Sequence, residues 1–202
     1  MPEAPFQPPS TEEQARWAAL PPASIAVERS WDGVVTRADG ARLSLEFTES
    51  ELRIAIDAPF HGGAAPAAPP GSCPKLWEHE VVELFLLGSA ERYLELEFGP
   101  HGHYLMLRLA GVRRVQAEGM LLLDYSARIE ASRWTGRARV PLSWLPPGWS
   151  HFNAYAIDGT GAQRRYWARF PVPGAQPDFH RLGCFEPFDG LAATPGGRSI
   201  AG

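Results

Sequence analysis

Residues 76–104 read LWEHEVVELFLLGSAERYLELEFGPHGHY, from Leu76 to Tyr104, and their periodicity decides the fold. In YLELEF, Leu94, Leu96 and Phe98 fall on one side and Tyr93, Glu95 and Glu97 on the other. That two-residue alternation predicts a strand with one buried face and one outward face. EVVELFLL differs, because both of its faces are apolar: Val82, Leu84 and Leu86 against Val81, Phe85 and Leu87. It reads as a strand in the middle of a packed body. Glu83 interrupts this run. An ionised carboxylate there needs a partner, an opening or a proton. An ion pair with one of the many arginines and a contact to a ligand are both compatible with that position.

The same period continues outward from this stretch. Residues 23–29, 41–47, 52–56, the run YLMLRL, the run MLLLDYSARIE, Ala138–Val140, HFNAYAID and RRYWARF all read as short strands. Turns are expected at Asp39–Gly40, at residues 48–50 and at DGTGAQ. One helix is expected, EEQARWAAL, with Ser10 and Glu13 at capping-box spacing and Pro21–Pro22 as its stop. Its Trp17 reads as a core anchor. Residues 59–74 hold too much Gly and Pro for a regular element and form a long loop leading into Trp77. Nine or ten strands with one helix and no repeat predict an all-β antiparallel sandwich. The expected organisation is an N-terminal extension and short helix over 1–22, a single β-sandwich domain over 23–190 and a flexible tail over 191–202.

Composition narrows the function. The 202 residues are 45% hydrophobic and 21% charged, with a net charge of -4. That is an ordinary globular balance, without the basic patch of a nucleic-acid binder. The clusters Arg113–Arg114 and Arg164–Arg165 read as solvated faces. No apolar run is long enough to cross a bilayer as a helix, and no secretory signal begins the chain, so the expectation is a cytoplasmic protein away from the membrane. Cys73 and Cys184 fit free thiols, with a single bridge open but not required. No cofactor motif is present. The expected association state is a monomer or a weak homodimer.

Four groups of residues carry chemistry. Trp77 stands at the mouth of the central strand and Trp167 in a strand near several arginines, and an indole face can stack on a sugar. Glu95 and Glu97 share a strand face at about 7 Å, the i, i+2 spacing of a strand. Such a pair is usually solvated, although paired carboxylates also serve glycoside hydrolysis. His101 and His103, with Glu95 and Glu97, could ligate a metal, but the spacing suits a polar turn better. In PDFHRL, Asp178 and His180 could form a tuned pair, or the segment could dock the tail on the body.

The combination of LWEHEVVELFLL, GPHG, ARVPLSWLPP, FNAYAIDG and PDFHRLGCFEPF resembles the chromosome 4 open reading frame family, over most of the chain after about residue 25. That resemblance implies a group and no particular activity. More distantly, the Trp entering a central strand, the carboxylate in VVELF and the later Trp are similar to family 9 carbohydrate-binding modules and DOMON-like β-sandwiches. It implies a sandwich in which Trp77 and Trp167 clamp a sugar and Glu83 reads its hydroxyls. Glu95 and Glu97 stand where those modules carry basic and amide groups. The expected function is non-catalytic binding of a small polyhydroxylated ligand, a saccharide, by Trp77, Glu83, Glu95, Glu97 and Trp167, with Tyr93, His101 and His180 beside them. A hydrolase using Glu95, Glu97, His101 and His180, and a protein-interaction module, are the alternatives.

Overall fold

A computed structural model describes residues 8–118 and 123–188. The expected flexible tail, and the apolar start of the MLLLDYSARIE run, lie outside the described residues. The helix α1, Thr11–Ala18, begins as its sequence dictates. Ser10 Oγ accepts from the Glu13 amide, and the Glu13 carboxylate accepts from the Ser10 amide. Glu13 also accepts from the Gly148 amide, and Trp17 packs edge-on against Trp149, so the helix is fastened to the sheet connection beside it.

The strands are β1 Ala23–Ser30, β2 Thr36–Phe47, β3 Glu51–Pro59, β4 Gly71–Ser72, β5 Val81–Leu87, β6 Arg92–Phe98, β7 His103–Ala110, β8 Val115–Glu118, β9 Asp124–Glu130, β10 Arg133–Pro141, β11 His151–Asp158, β12 Arg165–Ala168 and β13 Glu186–Pro187. They hydrogen-bond in the order β4-β7-β6-β5-β11-β12-β1-β2-β3-β10-β9, with β8 on β7 and β13 on β11. All of these pairs are antiparallel except β4 with β7. β12 joins β1 through only two residue pairs, Arg29 with Ala168 and Ser30 with Trp167. That narrow junction is the corner at which the sheet folds over itself into two layers.

Between the layers lies the main core. Leu84, Leu94, Leu96 and Phe98 of one layer meet Ile25, Leu43, Ile54 and Val140 of the other, all essentially without solvent contact. Burying each such side chain contributes about 1.5–3 kcal/mol. The β1–β2–β3–β10–β9 layer alternates cleanly. Its outer face is wet and carries Arg53, Arg139, Glu51 and Asp124 in ion pairs. The other layer is dry on both sides. Residues 170–188 and the loop before β5 lie over its outer face, where Phe85, Leu105, Tyr155 and Phe179 form a second apolar cluster.

Two expectations need correction here. The Tyr93–Glu95–Glu97 side of β6 is not outward, because every residue from Tyr93 to Phe98 is buried. Asp39–Gly40 is not a turn, since β2 runs straight through it. Gly40 is required for another reason: a Cβ there would sit 2.2 Å from the Val27 carbonyl, where β1 shifts register. β8 follows the basic pair Arg113–Arg114, in a stretch where no strand is expected from the sequence.

Candidate functional site

The covering segment is pinned by side chains from β11. Asn153, fully buried, donates to the carbonyls of Phe170 and Cys184 and accepts from the Phe170 amide. Tyr155 donates to the Phe179 carbonyl, and its ring stacks flat on the Phe179 ring at 3.9 Å. PDFHRL therefore does dock the C-terminal segment. It does so while leaving a gap beside it.

That gap is a pocket of about 330 Å³, open to solvent. Its floor is the outer face of β5, β6 and β7, with Glu83, Phe85, Glu95 and Leu107. Tyr166 and Phe179 stand on its walls, Trp77 and Arg113 reach it from neighbouring turns, and Val115 from the start of β8. Trp77 sits in a single 3-10 turn, Leu76–Glu78, and is 39% exposed. The turn is held from behind. Arg164 donates to the carbonyls of Glu78 and Trp77, and its Nε donates to the Tyr166 hydroxyl. Arg164, read from sequence as a solvated cation, is thus the brace for the Trp77 turn.

The polar groups of the floor are acids without cations. Glu83 lies directly opposite Glu97 across the β5–β6 ladder, and Glu95 faces Phe85 two pairs further on, on the same face. Glu95 and Glu97 are 3% and 0% exposed. Glu95 Oε2 and both Glu97 oxygens meet no N–H or hydroxyl donor of the described residues, and the two carboxyls have each other for a neighbour. Among the described residues no arginine or lysine forms an ion pair with any of the three. Burial pushes the Glu95 carboxyl up to about 7, and holds Glu83 and Glu97 well above the usual carboxylate range. Mutual repulsion adds to burial at Glu83 and Glu97, so ionising one acid keeps the proton on its neighbour.

His180 closes one side. Its Nδ1 is 2.8 Å from the Tyr93 hydroxyl, which itself accepts from the Arg113 amide at 3.0 Å. The Tyr93 hydroxyl is therefore assigned as the donor to Nδ1, and the neutral ring carries its proton on Nε2. Nε2 lies 3.9 Å from Glu95 Oε2, beyond hydrogen-bond reach. Burial, then the nearby Arg113, brings the imidazole down to about 4, so it is neutral near pH 7. Burial pushes the Tyr93 phenol up to about 12. Arg113 pairs with Asp178 at 2.7 Å, and Asp178 accepts from the His180 amide, which ties the rim to the covering segment.

Of the residues expected from sequence, the structure brings Trp77, Glu83, Glu95 and His180 to the pocket, with Tyr93 and Glu97 directly behind. It does not bring Trp167 or His101. Trp167 is 6% exposed, belongs to the core between the layers, donates from Nε1 to Asp158 and lies under the Arg37 guanidinium. In the ladder it pairs with Ala156, an inner-face residue, so it cannot be a clamp in this pocket. Its neighbour Tyr166 pairs with Ile157 and takes the outer face instead. His101 bonds the Gly63 carbonyl and packs on Phe60, and His103 bonds the Ala68 carbonyl. Both serve to hold the loop before β5. The set Glu95, Glu97, His101 and His180 is consequently split between two places. Among the described residues no group of three or more His, Cys, Asp or Glu is arranged to hold a metal ion. Both cysteines are free. No helix of the described residues is long and apolar enough to cross a membrane.

Comparison with known proteins places the chain. No protein-family model matches it. A mouse protein named UPF0462 protein C4orf33 homolog is 39% identical over 171 residues, covering 80% of this chain and 88% of that one. The human UPF0462 protein C4orf33 is 37% identical over 172 residues, covering 81% and 86%. Among solved structures, a Bacteroides uniformis protein whose name proposes carbohydrate binding superposes with a TM-score of 0.64 at 14% identity, over 91% of this chain and 93% of that one. This likeness shows a shared fold. A family 9 carbohydrate-binding module of Caldicellulosiruptor kristjanssonii, solved with cellotriose, gives a TM-score of 0.49 at 13% identity, over 83% and 80%.

Proposed function

This chain belongs to the UPF0462 family of C4orf33 proteins, and from that premise we propose that its outer-face pocket binds a small polyhydroxylated ligand, a saccharide, without transforming it. One observation carries the reading: a solvent-open pocket joins a partly exposed indole, Trp77, to buried acids, Glu83 and Glu95, with which no arginine or lysine of the described residues pairs. A sugar presents an apolar C–H face to an aromatic ring and hydroxyls to polar side chains. Trp77 and Tyr166 supply rings and the floor acids supply hydrogen bonds. A protonated carboxyl both donates and accepts, which suits a hydroxyl. The name of the Bacteroides uniformis fold neighbour agrees with this reading.

The test is calorimetric titration with a panel of mono- and oligosaccharides. The expected result is saturable binding of at least one of them, abolished by Trp77→Ala and unaffected by Trp167→Phe. No binding across the panel, or binding indifferent to Trp77→Ala, would overturn the reading.

A further inference from the structure

We infer that the ligand of this pocket carries a protonated amine that seats between Glu95 and Glu83, which makes an amino sugar the fitting class. The inference rests on the saccharide reading for the body of the ligand and goes beyond it in the charge.

The argument begins with the donor–acceptor balance of the lining. A neutral hydroxyl both gives and takes a hydrogen bond, and sites that read hydroxyls usually mix donors with acceptors. Here the polar groups of the floor are Glu83 and Glu95. Arg113, at the rim, is engaged by Asp178. Neutral His180 has Nδ1 engaged by Tyr93 and offers one N–H, on Nε2, against the two acids. Once one of the two acids ionises the floor has more acceptors than donors, and an ammonium, with three donors and no acceptor, is its complement. The surroundings add to this. Phe85, Tyr166, Phe179 and Trp77 all line the same pocket, and aromatic faces attract a desolvated cation.

A second, independent observation points to a ligand. Glu95 is 3% exposed and lines the pocket, yet its Oε2 has no partner. An unpaired buried acceptor of this kind is costly, and no arginine of the described residues hydrogen-bonds to it, since Arg113 is paired with Asp178 and acts on Glu95 only from a distance. Contrast Arg164, which is close enough to influence Glu83 but spends its guanidinium on the carbonyls of the Trp77 turn and on Tyr166.

Binding then has a proton balance. The groups facing Glu95 are Glu83 from β5, Glu97 and Tyr93 from its own strand, Arg113 from the turn before β8, and His180 from the covering segment, with Asp178 acting on Tyr93 and His180. Tyr155 of β11 and Arg164 act on Glu83, and Cys73 acts on Glu97. In the empty pocket Glu95 holds a proton below about pH 7. When an ammonium enters, Glu95 ionises against it and its proton leaves to solvent. One N–H···O contact forms, one O–H bond is lost, and the net charge of the site is unchanged.

The experiment is calorimetry at pH 6 with glucose, glucosamine and N-acetylglucosamine, each in two buffers of different ionisation heat. Glucosamine should bind about tenfold or more tighter than glucose, with release of about one proton. N-acetylglucosamine, whose nitrogen is uncharged, should behave like glucose. Glu95→Gln, its fold checked by thermal melting, should erase the preference and the proton release together. Glucose binding as tightly as glucosamine overturns the amine and leaves the saccharide reading standing. Butylamine binding where no sugar does keeps the amine and removes the saccharide body. No binding of any probe overturns both.

Discussion

Two buried acids in this molecule live opposite lives. Asp158, at the end of β11, is 3% exposed and surrounded by donors. Arg37 and Arg165 each reach it at 2.7 Å, Trp167 Nε1 at 2.8 Å and His61 at 3.2 Å. Glu95 is equally buried, at 3%, and among the described residues no arginine or lysine pairs with it; Arg113 acts on it only from a distance. The first is at the corner where the two layers meet and the second is on the floor of an open pocket. A buried acid that organises the fold is met by its partners within the chain. A buried acid that waits for something from outside is left incomplete, and that distinction separates architecture from site.

The strongest way to break the contrast is Asp158→Ala. Removing one partner leaves the largely buried Arg37 guanidinium without its carboxylate, which costs about 3–5 kcal/mol. Urea denaturation should show that loss. A change below about 1 kcal/mol would mean that the corner does not depend on this cluster.

Next in size is pH dependence. Glu83, Glu95 and Glu97 are raised in the folded state, so their contribution is complete below about 4.5 and is lost as pH rises through the folded values, about 7 for Glu95. His180 is depressed to about 4, so its contribution is present above 6.5 and lost as pH falls towards 4. The two oppose each other between pH 4.5 and 6.5. Above 6.5 only the acids act, and stability should fall on going to pH 8.5 by on the order of a few kcal/mol. Glu95→Gln should flatten that fall. A wild-type curve that rises over this range would contradict the account of the floor.

How much of this was legible in the sequence follows from the same residues. The run at 81–87, apolar on both sides, announced a central strand, and β5 is buried from Val81 to Leu86. The capping box at Ser10 and the hairpins at residues 48–50 and 159–164 were equally local and are where the pattern put them. The outer face of β6 was not legible. Alternation in YLELEF looks like a strand facing water, because the cover comes from residues 170–188, far along the chain. Tyr166 and Trp167 show the finer limit. Which of two adjacent aromatics enters the pocket depends on a one-residue register with β11, and both parities satisfy the sequence. Arg113 and Arg164 looked like surface cations for a similar reason: their targets, Tyr93 with Asp178 and the Trp77 turn, are brought near only by the fold.

Two smaller tests sharpen the comparison through the tryptophans. Trp77→Ala should leave stability within about 0.5 kcal/mol, as for an exposed position, while removing saccharide binding. Trp167→Phe should do the reverse. It deletes one of the donors to Asp158 and should cost about 1 kcal/mol of stability with ligand affinity intact. Thermal melts of both variants alongside titrations would show whether fold and site are separable in this way.

The most direct measurement is an NMR titration of the isotope-labelled protein with the tightest saccharide of the panel, following the indole N–H signals and the backbone amides. The account predicts that the Trp77 indole shifts together with amides of residues 83–85, 95 and 179–180, while the Trp167 indole stays in place. Shifts centred on Trp167 and Asp158, or confined to the wet face of the β1–β2–β3–β10–β9 layer, would contradict it.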